Sequence, residues 1–302
     1  MVAQTPENLM NSSLKGKRGA IFLRWKRLED DRSSWRSHYI ELTDYLLPRR
    51  GRYLIESQNS KGRKRSTKIV DNTAGQSLRT LAAGMMSGMT SPARPWFRLQ
   101  TPDPEMMDMP GVKDWLGQVE RIIRTLLTRS NFYNSASTIY TELGAFGTAA
   151  LYRRRHPTDI VSFRPFTAGE YVIAEDEYGS VNTLGREFTL SVSQIVEQFV
   201  IQRDGSEDWS NVSSAVKRLW EQKNHDERIE VIHLIQPRRI EDRDLSRPLD
   251  PKNKPFMDVY MEKGADGDKL LQEGGFDRFP AYCPRWDVLG GDVYGVSPGM
   301  EQ

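Results

Sequence analysis

Histidine, cysteine and clustered carboxylates are the side chains that most often carry chemistry near neutral pH. This chain has few of them, and not in a useful order. Its histidines are His38, His156, His225 and His233. Only the last two are close in sequence, one at the end of an expected helix and the other in an expected strand, which suits structural or solvent-facing roles. No His-x-x-x-His pair occurs and Cys283 is the single cysteine, so a zinc site lacks ligands and no internal disulfide can form. Asp30-Asp31, Glu175-Asp176-Glu177 and Glu241-Asp242 are carboxylate clusters of the kind that usually stays solvated. A catalytic pair would need a cleft to separate its pKa values. Neither a Gly-x-x-x-x-Gly-Lys-Ser/Thr phosphate loop nor a Gly-x-Gly-x-x-Gly dinucleotide fingerprint is present. No catalytic residue, cofactor or metal is expected, and a hydrolase would need a pocket of convergent ionisable groups.

The concentrated chemistry is cationic. Arg49, Arg50, Arg52, Lys61, Arg63, Lys64, Arg65 and Lys68 fall within one segment that holds a single acid, Glu56. Such a segment can touch nucleic-acid phosphates without reading sequence, contact another protein surface, or stand as a solvated loop. The whole chain has a net charge of only +2, from 43 Lys and Arg against 41 Asp and Glu. That argues against a dedicated nucleic-acid-coating protein and leaves a local patch open. A nucleic-acid-binding accessory protein is therefore kept as the alternative reading.

The elements that must position these residues follow from periodicity. Residues 1–19 are polar, with Pro6, Gly16 and Gly19, and read as a flexible arm. Ile21, Trp25, Leu28, Trp35, Tyr39, Leu42 and Leu46 recur at helical spacing with a break near Ser33, and Pro48 ends the run. Helical spacing returns over 73–91. Gly75, Gly84 and Gly88 cost this helix about 1 kcal/mol each relative to alanine. They predict close packing against another element, within the chain or between chains, with Met85, Met86 and Met89 filling gaps. Trp96–Leu99 reads as a short strand. Val112, Trp115, Leu116, Val119, Ile122, Ile123, Leu126 and Leu127 mark an amphipathic helix, and a further helix runs from Phe132 to Phe146.

After Gly147 alternation takes over. Strands are expected at 149–155, 160–165, 171–174, 181–189, 228–235 and 256–261, the last inside a hairpin between 250 and 275. Ser191 and Gln194 form a capping box before one inserted helix, and a second spans 212–222. The fold class is α+β, a mostly helical first half (20–147) followed by a β-rich half with inserted helices (148–302). The 37% hydrophobic content supports a packed core. No apolar run approaches the roughly 18 residues of a membrane span, and the N-terminus carries no apolar signal-peptide core. A soluble chain made in the cytoplasm, with no membrane partner, is the expectation.

Four stretches resemble the podovirus head-tail connector (portal) family. The first is Trp35-Arg36 with Tyr39-Ile40 and Tyr45-Leu46-Leu47-Pro48-Arg49-Arg50-Gly51. The second is the run from Leu81 to Leu99. The third is Ser130-Asn131-Phe132-Tyr133 with Glu142-Leu143-Gly144-Ala145-Phe146-Gly147-Thr148-Ala149. The fourth, weaker, is Pro284-Arg285-Trp286 with Tyr294-Gly295 and Ser297-Pro298. The second is the most specific, being long and unusual in composition.

The resemblance implies a portal-like wing and stem region and a ring of about twelve copies at one capsid vertex. It implies that double-stranded DNA passes through the ring non-specifically, and that the terminase large subunit, capsid and scaffold proteins and tail adaptor proteins are partners. It places the protein in the virion, at the capsid portal vertex, after synthesis in the host bacterial cytoplasm. The resemblance gives portals no catalytic residues. Members are longer than this sequence, so it also implies that the later helices and the clip and crown regions are absent here, and that this length does not close a ring by itself.

Overall fold

A computed structural model of the chain describes residues 16–55, 68–107, 109–202, 204–265 and 267–301. The chain divides into two compact units, one from residues 1–36 and 170–279, the other from 37–169 and 280–302. The change from helix to strand at Gly147 is thus a change of secondary structure, while the units interleave along the chain.

The first unit is built on a five-stranded antiparallel sheet. Its strands are β3 (Tyr171–Glu175), β4 (Val181–Ser191), β5 (Arg228–Pro237), β6 (Phe256–Glu262) and β7 (Gln272–Phe276), in that spatial order. Alternation along β5 sends Ile232 and Leu234 to one face and Val231, His233 and Ile235 to the other, as a period of two requires. On the first face, Ile21, Trp25 and Leu28 of helix α1 (Lys17–Tyr45) pack against Ile232, Leu234, Met257, Val259 and Met261. These three residues sit at i, i+4 and i+7, one side of a helix. Gly185 makes that contact possible, because a Cβ there would lie 2.8 Å from the Trp25 ring. The other face is partly covered by α7 (Val192–Ile195), a π-helical turn over Val196–Val200, and α8 (Ser214–Glu221).

Three expectations in this region change. Helix α1 starts at Lys17, inside the expected arm. Arg18, 5% exposed, donates to the carbonyl of Glu262 at 2.8 Å, and its backbone N–H donates to Asp268 at 2.7 Å. The helix also runs unbroken past Ser33. The hydroxyls of Ser33 and Ser34 donate back to the carbonyls of Asp30 and Asp31, so these polar residues are accommodated without a break. The capping box forms as expected, Gln194 N–H donating to Ser191 Oγ at 3.3 Å and Ser191 N–H to Gln194 Oε1 at 3.0 Å. The helix it starts soon widens to the π form, with Ile201 N–H donating to the Val196 carbonyl at 2.9 Å.

In the second unit, α2 (Arg52–Ile55) follows a short 3-10 turn, and α3 (Thr73–Met89), α4 (Pro104–Met107), α5 (Pro110–Arg129) and α6 (Phe132–Phe146) come next. A three-stranded sheet orders β2 (Ile160–Phe166), β1 (Ala150–His156) and β8 (Ala281–Tyr282) side by side. Ile139, Leu143, Ala149, Leu151 and Phe163 form the core between α6 and the sheet. Trp96–Leu99, expected as a strand, pairs with no strand among the described residues. Aromatic stacking holds it instead. The Trp96 ring lies parallel to Phe132 at 5.9 Å and edge-on to Phe97 at 4.8 Å, and its Nε1 donates to the Tyr133 hydroxyl at 3.3 Å.

Candidate functional site

Helix α6 is where the chain gathers its unusual residues. Phe146 and Glu142 are fully buried on it. A buried carboxylate needs partners, and Glu142 has several. The Arg50 guanidinium pairs with it, Thr167 donates a hydroxyl at 2.8 Å, and the Ala168 N–H donates at 3.2 Å. Arg50 also donates to Thr167 Oγ1 at 3.2 Å, which closes the group. Two residues on, Gly144 lets α3 approach, since a Cβ there would meet the Leu78 and Leu81 side chains at 2.9 and 3.0 Å. Tyr39 of α1 meets Phe146 edge to face at 5.5 Å.

The helix ends at Gly147, in the left-handed region at φ +67°, its N–H donating to the Leu143 carbonyl at 3.0 Å. A left-handed C-terminal residue strongly favours glycine. Here there is a second reason, for the backbone of Gly295 lies against the place a Cβ would take. Four bonds tie the two segments together. Trp286 N–H donates to the Gly147 carbonyl at 2.8 Å, Ala149 N–H to the Pro284 carbonyl at 3.1 Å, Gly295 N–H to Thr148 Oγ1 at 2.7 Å, and Ser297 Oγ to the Ala145 carbonyl at 2.8 Å. All four stretches singled out in the sequence therefore meet around α6: Arg50 from the first, Leu81 from the second, Glu142 to Thr148 from the third, and Pro284 to Ser297 from the fourth.

The residues expected to contact DNA or other subunits fare differently. Arg49 is exposed. Arg50 is paired inside the chain with Glu142 while its side chain stays partly exposed. Lys68 bonds Asp44 at 2.6 Å, and that hydrogen bond raises its pKa. Lys61, Arg63, Lys64 and Arg65 lie outside the described residues, as does the side chain of Arg52. Close packing within the chain is not found at two of the three glycines. A Cβ at Gly84 or Gly88 would meet nothing within 4 Å, because the neighbour of α3 approaches on the Leu78–Ala82 side through Gly144. Gly75 is snug only against Asn72, whose Oδ1 would lie 2.8 Å from its Cβ. Gly144 is the packing glycine missed in the sequence, where a single glycine among apolar helix residues was the available signal.

Three of the four histidines make contacts within the fold. His233 in β5, 2% exposed, sits in register between Arg186 and Tyr260 of the flanking strands. Its Nδ1 accepts from Arg186 Nε at 3.3 Å. That assigns the ring hydrogen to Nε2, which lies 2.6 Å from Asp258 and donates to it. Both ring nitrogens are thus engaged within the sheet. His156 accepts from the Asp159 N–H at 3.1 Å in the turn between β1 and β2. His225 lies edge-on to Trp220 at 4.2 Å. Among the described residues no group of three His, Cys, Asp or Glu could hold a metal, and no helix is long and apolar enough to cross a membrane.

Cys283 is shielded. Burial of its sulfur pushes the pKa from 9.0 up to about 12, opposed in part by Arg285. The thiolate is the reactive form, so at pH 8 the folded chain should react with a thiol reagent far more slowly than the urea-denatured chain. The fold favours the neutral thiol. That contribution is fully present below 9 and fades as the pH climbs toward 12. Equal rates for folded and unfolded protein at pH 8 would contradict it.

Arg50 and Glu142, at the heart of this framework, hold one another in place within an α+β fold. It belongs to the bacteriophage head to tail connecting protein family, whose model matches residues 18–302. The chain is 45% identical over 285 residues to the probable portal protein of Bordetella phage BPP-1, an alignment covering 94% of it. It is 44% identical over 275 residues to the portal protein of Salmonella phage epsilon15, covering 91% of it. It spans about half the length of these curated relatives, 49% and 47% respectively.

Proposed function

We propose that this chain supplies the N-terminal portion of a portal subunit, which joins copies of itself into a ring at one capsid vertex and takes no catalytic part. The family match over residues 18–302 carries the reading. The partners that follow from it are other copies of the subunit, capsid, scaffold and tail adaptor proteins, the terminase large subunit and passing double-stranded DNA. The surface supports it. Gly84 and Gly88 leave one side of α3 bare, and α5 exposes Trp115 at 62% and Ile122 at 59%, seven residues apart on one line of the helix. Apolar surface of that kind on a helix is suited to a neighbouring copy. The decisive test replaces the matching part of the epsilon15 portal protein with residues 18–302 and images the purified chimera by electron microscopy. Closed rings are expected. A monomeric chimera, together with steeply salt-dependent DNA binding by the present chain alone, would favour the accessory-protein reading instead.

Two variants, one single and one triple, refine this. Gly84→Leu meets no obstacle inside the chain, so thermal melting of the chain should hold or rise, by up to about 1 kcal/mol from helix propensity. In the chimera the same change should lower ring yield, by overpacking a subunit contact at a cost of roughly 1–3 kcal/mol. Unchanged ring yield would remove α3 from the interface. Neutralising Arg63, Lys64 and Arg65 together should leave melting unchanged and flatten the salt dependence of DNA binding. An unchanged slope would remove that segment from the DNA contact.

A further inference from the structure

A second cationic feature lies in the second unit, away from the segment at 49–68 in sequence. It is a cavity of about 250 Å³ between helix α5 and the loop that follows α3. Arg121, Arg124 and Arg129 line it from α5 and Arg94 from the loop, with Trp96 and Tyr133 beside them. The three α5 arginines are spaced i, i+3 and i+8, which puts them on one face of a helix. No carboxylate lines the cavity. Arg124 has Glu120 at 3.7 Å, an exposed pair worth little. Arg121 and Arg129 have no ion-pair partner among the described residues. Four guanidinium groups around one small volume repel one another, and an anion placed between them relieves that repulsion.

The arrangement also selects the kind of anion. Arg94 is already fixed, donating to the carbonyl of Ser87 at 3.0 Å and lying 3.5 Å from that of Gly88, so little conformational freedom remains to be lost when a ligand arrives. The Tyr133 hydroxyl accepts from Trp96 Nε1, which leaves its own hydrogen available to donate. A carboxylate has two oxygens in one plane and is matched by a single bidentate guanidinium. Donors converging from a helix face, a loop and a phenol suit a tetrahedral group with several oxygens. We infer that this cavity is a phosphate-binding site, taking a phosphate group either as the free ion or as the phosphodiester of a nucleic-acid strand. The inference stands apart from the portal reading, since it rests on the cavity alone.

The test uses the full chain at low ionic strength. Calorimetric titration with inorganic phosphate, and anisotropy with a labelled single-stranded oligodeoxynucleotide, separate the two sources. Acetate and polyglutamate serve as carboxylate controls. Arg121→Gln with Arg129→Gln should weaken phosphate binding by at least about tenfold, the loss expected for charge-assisted hydrogen bonds, with melting unchanged. Arg153→Gln with Arg154→Gln removes the same charge from the exposed part of β1 and should weaken it little. Binding of phosphate without the oligonucleotide assigns the free ion, and binding of both assigns the phosphodiester. The inference is overturned if the two double variants lose affinity equally, if carboxylates bind as well as phosphate, or if nothing binds.

Discussion

Glu142→Ala is expected to destabilise the chain by about 3–5 kcal/mol, the cost of breaking a buried ion pair from one side. The carboxylate is fully buried and serves an arginine, a hydroxyl and a backbone N–H at once. Its removal strands all three donors where little water can replace it. Glu142→Gln keeps the shape and one acceptor oxygen, so its loss should be smaller, about 1–3 kcal/mol. Pairing Glu142→Leu with Arg50→Met removes both charges, and the double variant should lose less than the sum of the two single changes. Urea unfolding followed by circular dichroism reads all of these. An alanine variant as stable as the parent would mean that the pair contributes nothing to the fold.

The second large effect is expected at the crossing of Gly147 and Gly295. Gly147→Ala carries two penalties. One is the left-handed backbone at φ +67°, about 1–2 kcal/mol for a residue with a Cβ. The other is collision with the Gly295 backbone, which must move away and strain the hydrogen bonds around it, at roughly 1–3 kcal/mol. Gly295→Ala isolates the second penalty. Its φ is not left-handed, but its Cβ would stand 2.6 Å from the Gly147 carbonyl oxygen and 2.9 Å from that of Asp287. Gly147→Ala should therefore be the more damaging of the two, and the gap between them measures the backbone term. If Gly295→Ala melts with the parent, the two segments are not in obligatory contact.

The strands and helices of this chain were largely legible because each buries one side. The apolar run of β5 answers to packing on both faces of the sheet, and the threes and fours of α6 answer to burial of one side. The Ser191–Gln194 box was readable because both halves of its bond pattern lie within four residues. What was not legible depends on partners far away in the chain. The group formed by Arg50, Glu142 and Thr167 joins residues that nothing in local spacing connects, so Arg50 looked like surface charge. Whether Gly84 and Gly88 pack within the chain or between chains was not legible, because a helix rich in small residues gives no clue to which side its neighbour takes. Trp96–Leu99 has the composition of a strand, yet stacking on Phe132 fixes it without any ladder. The π turn after Ile195 was hidden because its apolar spacing is also that of an α-helix.

The interleaving of the two units bears on how the chain can fold as it is synthesised. The polypeptide passes from one unit to the other after residues 36, 169 and 279. Residues 17–36 leave the ribosome early, but Ile21, Trp25 and Leu28 have no sheet to cover until β5 and β6 have emerged. The second unit waits longer still. Its third strand is Ala281–Tyr282, and the bonds that lock the end of α6 come from Trp286, Gly295 and Ser297. Contacts between residues so distant in sequence slow folding, because long loops must close before any gain is realised. A nascent chain of this protein therefore carries the apolar side of Ile21, Trp25 and Leu28 uncovered until β5 and β6 have emerged, a stage at which chaperone capture competes directly with premature association of unfinished chains.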